Sequence, residues 1–161
     1  MFLFEQIGEY AGSNKLILMP SDPPRISQAT AKVSAIARGK VIQLDYTWED
    51  NGPQEGSMMI GMRDGAEGVI AAWTDSFHFS KKIMICTGES DASSVSVHGT
   101  YSTVEYGGPS SPDWGWRIVL TKAEEGSFVL QMFNILPDDN GRADGPGSLA
   151  VDTHFHATGT R

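Results

Sequence analysis

A chain of 161 residues, 40% hydrophobic and 20% charged, can bury roughly 70% of the surface its unfolded form exposes; this excludes a disordered chain and removes any need for a disulfide or metal to hold a core. The formal net charge of −8 repels phosphate backbones and anionic lipid, so it excludes nucleic acid and polybasic membrane attachment as expected partners and reads first as solubility. Cys86 is the only cysteine, no run approaches the ~18 apolar residues of a membrane span, and the first six residues lack the basic start of a signal peptide, which makes the cytoplasm the expected compartment.

Apolar side chains recur at every second residue almost throughout, the period of a half-buried strand rather than of a helix. The first seven residues suit one helical turn plugging a barrel end. Strands are predicted over 14–19, 27–37, 40–49, 56–62 and 68–75, then 82–88, 95–102, 114–121, 127–135 and 148–156. The alanines of 27–37 would also suit a helix. Within 40–49, Ile42, Leu44, Tyr46 and Trp48 share one face, and Gln43, Asp45 and Thr47 the other. Cys86 follows Ile83-Met84-Ile85 and reads as a small sheet or core residue, not a reactive thiol. Trp114, Trp116, Ile118 and Leu120 form a second apolar face, and Phe128, Leu130, Met132 and Asn134 continue a third. Leu149, Val151, Thr153 and Phe155 make a fourth.

Turn residues separate these runs at Asp50-Asn51-Gly52-Pro53, Arg63-Asp64-Gly65, Gly107-Gly108-Pro109, Glu124-Glu125-Gly126 and Asp138-Asp139-Asn140-Gly141. About ten short strands, without strand–helix alternation, repeats or a linker, imply one all-β antiparallel domain over 1–161. A barrel is preferred to a sandwich because closure leaves no exposed edge.

Gly8-Glu9-Tyr10-Ala11-Gly12 resembles the Gly-x-Trp motif that precedes the first strand of calycins, the group of lipocalins and fatty-acid-binding proteins, with Tyr10 in the tryptophan's place. The resemblance implies a lipocalin-like barrel closed at one end by the Tyr10 ring, with a basic side chain from a late strand stacked on it. Strand 148–156 offers no Arg or Lys, which leaves Arg117 for that part. A wider resemblance rests, in order, on Gly8 to Gly12, the stretch from Arg38-Gly39-Lys40 to Trp48, Gly56-Ser57-Met58-Met59-Ile60-Gly61, Trp73-Thr74-Asp75-Ser76-Phe77-His78, Gly99-Thr100-Tyr101, Trp114-Gly115-Trp116-Arg117 and Met132-Phe133-Asn134-Ile135-Leu136-Pro137. On these stretches the chain is similar to a family of mostly bacterial, calycin-like domains of unknown function, which implies the fold and no activity.

Three inward positions are polar where a dry core would not be. Asp75 continues the face of Val69, Ala71 and Trp73, Asn134 continues that of Met132, and Tyr46 lies between Leu44 and Trp48. Burying such groups is costly unless they are hydrogen-bonded. With Trp48, Trp73, Trp116 and Met132 as apolar walls, they have the make-up of a small-ligand pocket. The competing reading is a filled barrel in which Asp75 and Asn134 cap turns. His78 lies three residues beyond Asp75, out of reach on a regular strand but within reach at a strand end. An Asp–His pair there would suit a general base; no strand-turn-helix elbow surrounds Ser76 or Ser80, and a structural hydrogen bond is the plainer reading.

His154 and His156 share a strand face at metal-ligand spacing, with Asp152 and His98 as further contributors. Leu149, Val151 and Phe155 claim the inward face, so the imidazoles are expected to face solvent. The carboxylate of a cupin pattern is absent from Ala157-Thr158-Gly159-Thr160-Arg161. The same outward phase argues against His154 or His156 as an axial haem ligand, the arrangement that some calycin-like barrels use. No metal or cofactor is assigned. The leading expectation is a barrel that binds a small, mainly apolar ligand. Trp48, Trp73, Trp116 and Met132 would supply area, and Tyr46, Asp75, His78 and Asn134 would fix orientation. The rivals are an enzyme using Asp75 and His78, and an interaction module with a filled barrel, such as a homodimer through Val129 and Phe133.

Overall fold

The period-two segments fold as ten antiparallel strands: β1 (Gly8–Leu16), β2 (Arg25–Ile36), β3 (Val41–Glu49), β4 (Pro53–Met62), β5 (Val69–Asp75), β6 (Met84–Ser90), β7 (Ser94–Tyr101), β8 (Trp114–Lys122), β9 (Ser127–Ile135) and β10 (Ser148–Ala157). The computed structural model describes residues 1–65, 67–108 and 110–159. Pro109 of the predicted Gly107-Gly108-Pro109 turn, and Thr160 and Arg161 of the C-terminal tail, lie outside the described residues. Each strand pairs with its neighbours in sequence, and β1 pairs with β10, so the sheet closes into a barrel. Burial follows the two-residue rhythm: Ile42, Leu44, Tyr46 and Trp48 of β3 are inside, as are Trp116, Ile118 and Leu120 of β8. The alanine-bearing segment is strand β2, because Ala29, Ala31 and Val33 fill the inner face and pairing on both sides overrides a weak helical preference. No helix among the described residues is long and apolar enough to cross a membrane.

Three expectations need correction. The first strand begins at Gly8 rather than at 14, because Gly8-Glu9-Tyr10-Ala11-Gly12 pairs with β2 and, from Tyr10, with β10; two partners hold as a strand a stretch whose glycines argue against one. Leu149 does not share the inner face of Val151: the β10–β9 register shifts between them, which turns Leu149 the other way. Arg117 does not stack on Tyr10. It follows inward Trp116 and therefore points outward, where its guanidinium lies 4.8 Å from the Phe133 ring centroid and donates to the carbonyls of Gly145 and Pro146. The outward Val129 and Phe133 are half-buried, with Phe133 beneath that guanidinium.

In an antiparallel meander, successive connections alternate between the two barrel ends. Connections 37–40, 63–68, 91–93 and 123–126 share one end with the N-terminus, and 17–24, 50–52, 76–83, 102–113 and 136–147 share the other. The first end is shut by a 3-10 turn, Phe2–Gln6, whose Phe2 and Leu3 are buried. Tyr10 holds it, its hydroxyl donating to the Gln6 carbonyl at 2.7 Å and its ring meeting Phe128 edge-on with centroids 4.9 Å apart. The longer connections therefore surround the opposite, open end.

Gly12 sits in the β1–β10 seam, where an added Cβ would lie 1.9 Å from the His154 carbonyl oxygen. No rotamer relieves a clash with backbone, so Gly12→Ala is expected to lower stability by about 3 kcal/mol. Urea denaturation followed by tryptophan fluorescence measures this; a loss below ~0.5 kcal/mol would show that the seam tolerates a wider spacing.

Candidate functional site

At the open end β5 finishes on Asp75, and the chain turns at once through Ser76, Phe77 and His78. Asp75 drives that turn. Its Oδ1 accepts the backbone N–H groups of Phe77 (3.1 Å), His78 (2.5 Å) and Phe79 (2.9 Å), and its Oδ2 accepts Nδ1–H of His78 at 2.8 Å. The carboxylate has no exposed side-chain surface, while the His78 side chain keeps 14%. Such a set of charge-assisted bonds satisfies a carboxylate that burial alone would make costly. It also fixes the imidazole, leaving Nε2 as the nitrogen available to a ligand.

The His78 ring sits between two tryptophans, 6.3 Å from Trp48 and 5.1 Å from Trp116, centroid to centroid. Trp116 in turn stacks on Trp73 at 5.7 Å and 12°, and Trp73 on Phe79 at 5.9 Å and 18°. The Trp73 indole N–H donates to the Tyr46 hydroxyl at 2.7 Å. Gly56 faces Tyr46 across β3–β4, and its missing Cβ makes room for the phenol, whose Cζ would stand 2.3 Å from it. Burial, helped by the nearby Asp75 charge, pushes the Tyr46 phenol well above its usual range, and the Trp73 N–H only partly opposes this. The indole N–H groups of Trp48 and Trp116 are buried without a hydrogen-bond partner among the described residues.

Two spaces adjoin this ring cluster. A cleft of about 340 Å³ opens at the mouth. The strand ends supply Trp73, Met84, Tyr101, Trp114, Trp116 and Asn134 to it, and the connections bring Leu18, Phe77, His78, Phe79 and Tyr106. Leu18 and Tyr106 are exposed at its rim. Deeper in the barrel lies a void of only about 10 Å³ beside Tyr46, Trp48, Asp75, His78 and Met132, room for one water molecule at most. Of the residues predicted for one pocket, Trp73, His78, Trp116 and Asn134 thus meet at the cleft. Tyr46, Trp48, Asp75 and Met132 stand behind it around the void, and His78 borders both. Below His78 the barrel interior is filled by side chains.

Tyr101 donates to Asn134 Oδ1 at 2.7 Å, and Tyr106 to the His78 carbonyl at 3.0 Å, so the cleft wall is itself hydrogen-bonded. Burial, and the neighbouring Tyr106, push the Tyr101 phenol up to about 12. Phe77, Phe79, Tyr101 and Tyr106 were not among the predicted site residues. Tyr101 could have been found from alternation, since it continues the inner face of Val95, Val97 and Gly99 on β7, whereas Phe77 and Phe79 lie in connection 76–83. Tyr106 sits in a 3-10 turn, Val104–Tyr106, with no periodic pattern to mark it.

The remaining candidates lie elsewhere. A larger concavity of about 870 Å³ is on the outer wall of β1–β5, where the polar side chains already pair, as in Ser57 with Asp45 at 2.6 Å and Thr30 with Thr47 at 2.6 Å. His154 and His156 are exposed on β10, beside Asp152 at 3.3 Å and Ser127 Oγ at 2.9 Å respectively. His98 on β7 lies with Nε2 2.7 Å from the Ala143 carbonyl and donates to it. Among the described residues, no group of three or more His, Cys, Asp or Glu side chains is placed to hold a metal ion.

A closed ten-stranded antiparallel meander, plugged at one end and walled with aromatic rings at the other, defines the class: an up-and-down β-barrel. The chain belongs to the family described as "Protein of unknown function (DUF1579)", whose model matches residues 1–143. The match spans β1 to β9 and the whole ring cluster and stops short of β10. No curated protein matches the chain.

Two consequences follow for stability. Asp75→Ala removes the acceptor of three turn amides and is expected to destabilise by about 3 kcal/mol, with Asp75→Asn, which keeps one oxygen, recovering part of the loss in thermal and urea melts. Equal losses in the two variants would count against the turn-capping role. Cys86 is fully buried, and burial lifts its thiol from 9.0 to about 12. Because the unfolded thiol ionises first, its contribution is complete below pH 9 and is lost as pH rises toward 12, at about 1.4 kcal/mol per pH unit; Tyr46 acts with the same sign above pH 10. Urea midpoints at pH 8, 10 and 11 should fall less steeply for Cys86→Ala than for the parent; identical slopes would contradict the assignment.

Proposed function

We propose that the protein is a calycin-like binding barrel that takes a small, flat, mainly apolar ligand in the mouth cleft. One observation carries the reading: a cleft of about 340 Å³, at the end where the long connections gather, is walled by near-parallel aromatic rings and holds one imidazole pinned by a buried carboxylate. That volume lies at the small end of ligand pockets, roughly 300–1,000 Å³, and an apolar wall with few polar groups is their usual composition. The ring faces supply contact area, and His78 supplies direction. The closed meander and the N-terminal plug beneath Tyr10 support the calycin-like part of the reading.

A second reading, acid–base catalysis by His78 with Asp75 orienting it, has its own support: the 2.8 Å contact between them adjoins a cleft with an exposed rim. A fixed Asp–His pair is what a general base requires. The two readings diverge at His78→Ala, since a catalytic residue is lost with ligand affinity intact and a binding residue is lost with affinity reduced.

Titration with quinoline, a flat bicyclic probe, followed by amide and indole N–H resonances, is expected to shift Trp73, Trp114 and Trp116 and to leave Glu9, Lys32 and Glu55 of the outer concavity unmoved. His78→Ala is expected to weaken quinoline about tenfold, the loss of about 1.4 kcal/mol of ring contact. Shifts confined to the outer wall would overturn the assignment of the cleft.

A further inference from the structure

The polar atoms around the cleft are unequal in what they have left to offer. Asp75, the carboxylate that contacts His78 among the described residues, spends both oxygens, on three backbone amides and on Nδ1–H. The Asn134 carbonyl oxygen takes the Tyr101 hydroxyl, so the amide N–H groups are what Asn134 has left to present. The His78 carbonyl takes the Tyr106 hydroxyl. Against these engaged acceptors stands the Trp116 indole N–H, itself buried, on a cleft-lining residue that is 5% exposed, with no partner among the described residues. An indole nitrogen can only donate. Leaving it unmet in a low-dielectric wall is unfavourable, and a ligand oxygen would relieve that. The His78 ring centroid is 5.1 Å from that of Trp116, so both rings can reach one ligand head.

Resting on the reading of the cleft as a binding site, we infer that its ligand carries an acceptor-only oxygen head, a carboxylate or carbonyl, on a flat apolar body, with that oxygen received by the Trp116 indole N–H beside His78. The body lies along the Trp116–Trp73–Phe79 stack, whose rings are within 18° of parallel between neighbours and offer faces to another planar system. A carboxylate takes its second bond from Nε2–H of the imidazolium form of His78. A carbonyl needs the indole alone. Among the described residues a cationic head finds no unspent carboxylate there, although the net charge of −8 would draw cations toward the protein as a whole.

Calorimetric titration of the full chain with 2-naphthoate, 2-acetylnaphthalene and 2-naphthylmethylamine, three probes sharing one body, tests it. At least one oxygen-headed probe is expected to bind tenfold or more tightly than the amine, and a comparison of those two separates carboxylate from carbonyl. Trp116→Phe keeps the ring and removes the donor; it should weaken the oxygen-headed probe five- to tenfold while changing the amine less than twofold. A Trp116→Phe thermal melt within a few degrees of the parent secures the comparison, and should that variant unfold, the parent's probe ranking alone decides. Amine binding equal to or tighter than both oxygen-headed probes, or equal weakening of all three by Trp116→Phe, overturns the head assignment and leaves the cleft reading standing. Absence of binding by all three, with quinoline also silent at the cleft, overturns both.

Discussion

Ring closure between β1 and β10 sets the terms for the rest of the molecule. Seven paired positions, from Tyr10 opposite Ala157 to Leu16 opposite Val151, join the first strand to the last, and only then does every strand have two neighbours. Without that seam the sheet would present two unpaired edges, and its apolar face would have no enclosed space to fill. The close approach that the seam needs is visible at Gly12, where the His154 carbonyl occupies the place of a side chain. Closure also makes the two barrel ends unlike. The N-terminal 3-10 turn covers one, so a recess can survive only at the other.

At that other end a single carboxylate organises the site. Asp75 ends β5, caps the turn that follows and holds the imidazole of His78, and each role depends on its lying inside the barrel rather than on its surface. A buried carboxylate is tolerable because all of its capacity is used locally. The consequence is an imidazole whose position is set from behind, within a wall of aromatic rings. Rings stacked at small angles are stiff and contribute area with little rotamer freedom to lose on binding.

The barrel is neither the open cavity nor the filled core that the residues alone allowed. Tyr46, Trp48 and Met132 close the interior beneath His78 down to a void of about 10 Å³, while Trp73, Trp116 and Asn134 line the larger recess above. Alternation places all of them on the inner face, and it carries no information about height along the barrel axis. Height decides which inward residue packs and which lines a mouth. Phe77, Phe79 and Tyr106 illustrate the same limit from the other side: they sit in connections, where no period exists, and reach the cleft only because those connections fold over it.

The sequence by itself determined the all-β architecture, the positions of nine of its ten strands to within a few residues, the helical turn at the N-terminus and the inward phase of nearly every core residue. Those features rest on short-range chemistry: alternation of apolar side chains, and turn residues such as Gly126, whose φ of 73° a larger side chain resists. Tertiary structure alone decided where β1 begins and which way Leu149 faces. It also divided the predicted lining between a mouth and a floor. These outcomes depend on pairing across the closed sheet and on the crossing of distant connections, and such contacts join residues up to the full length of the chain apart, beyond the reach of any local pattern.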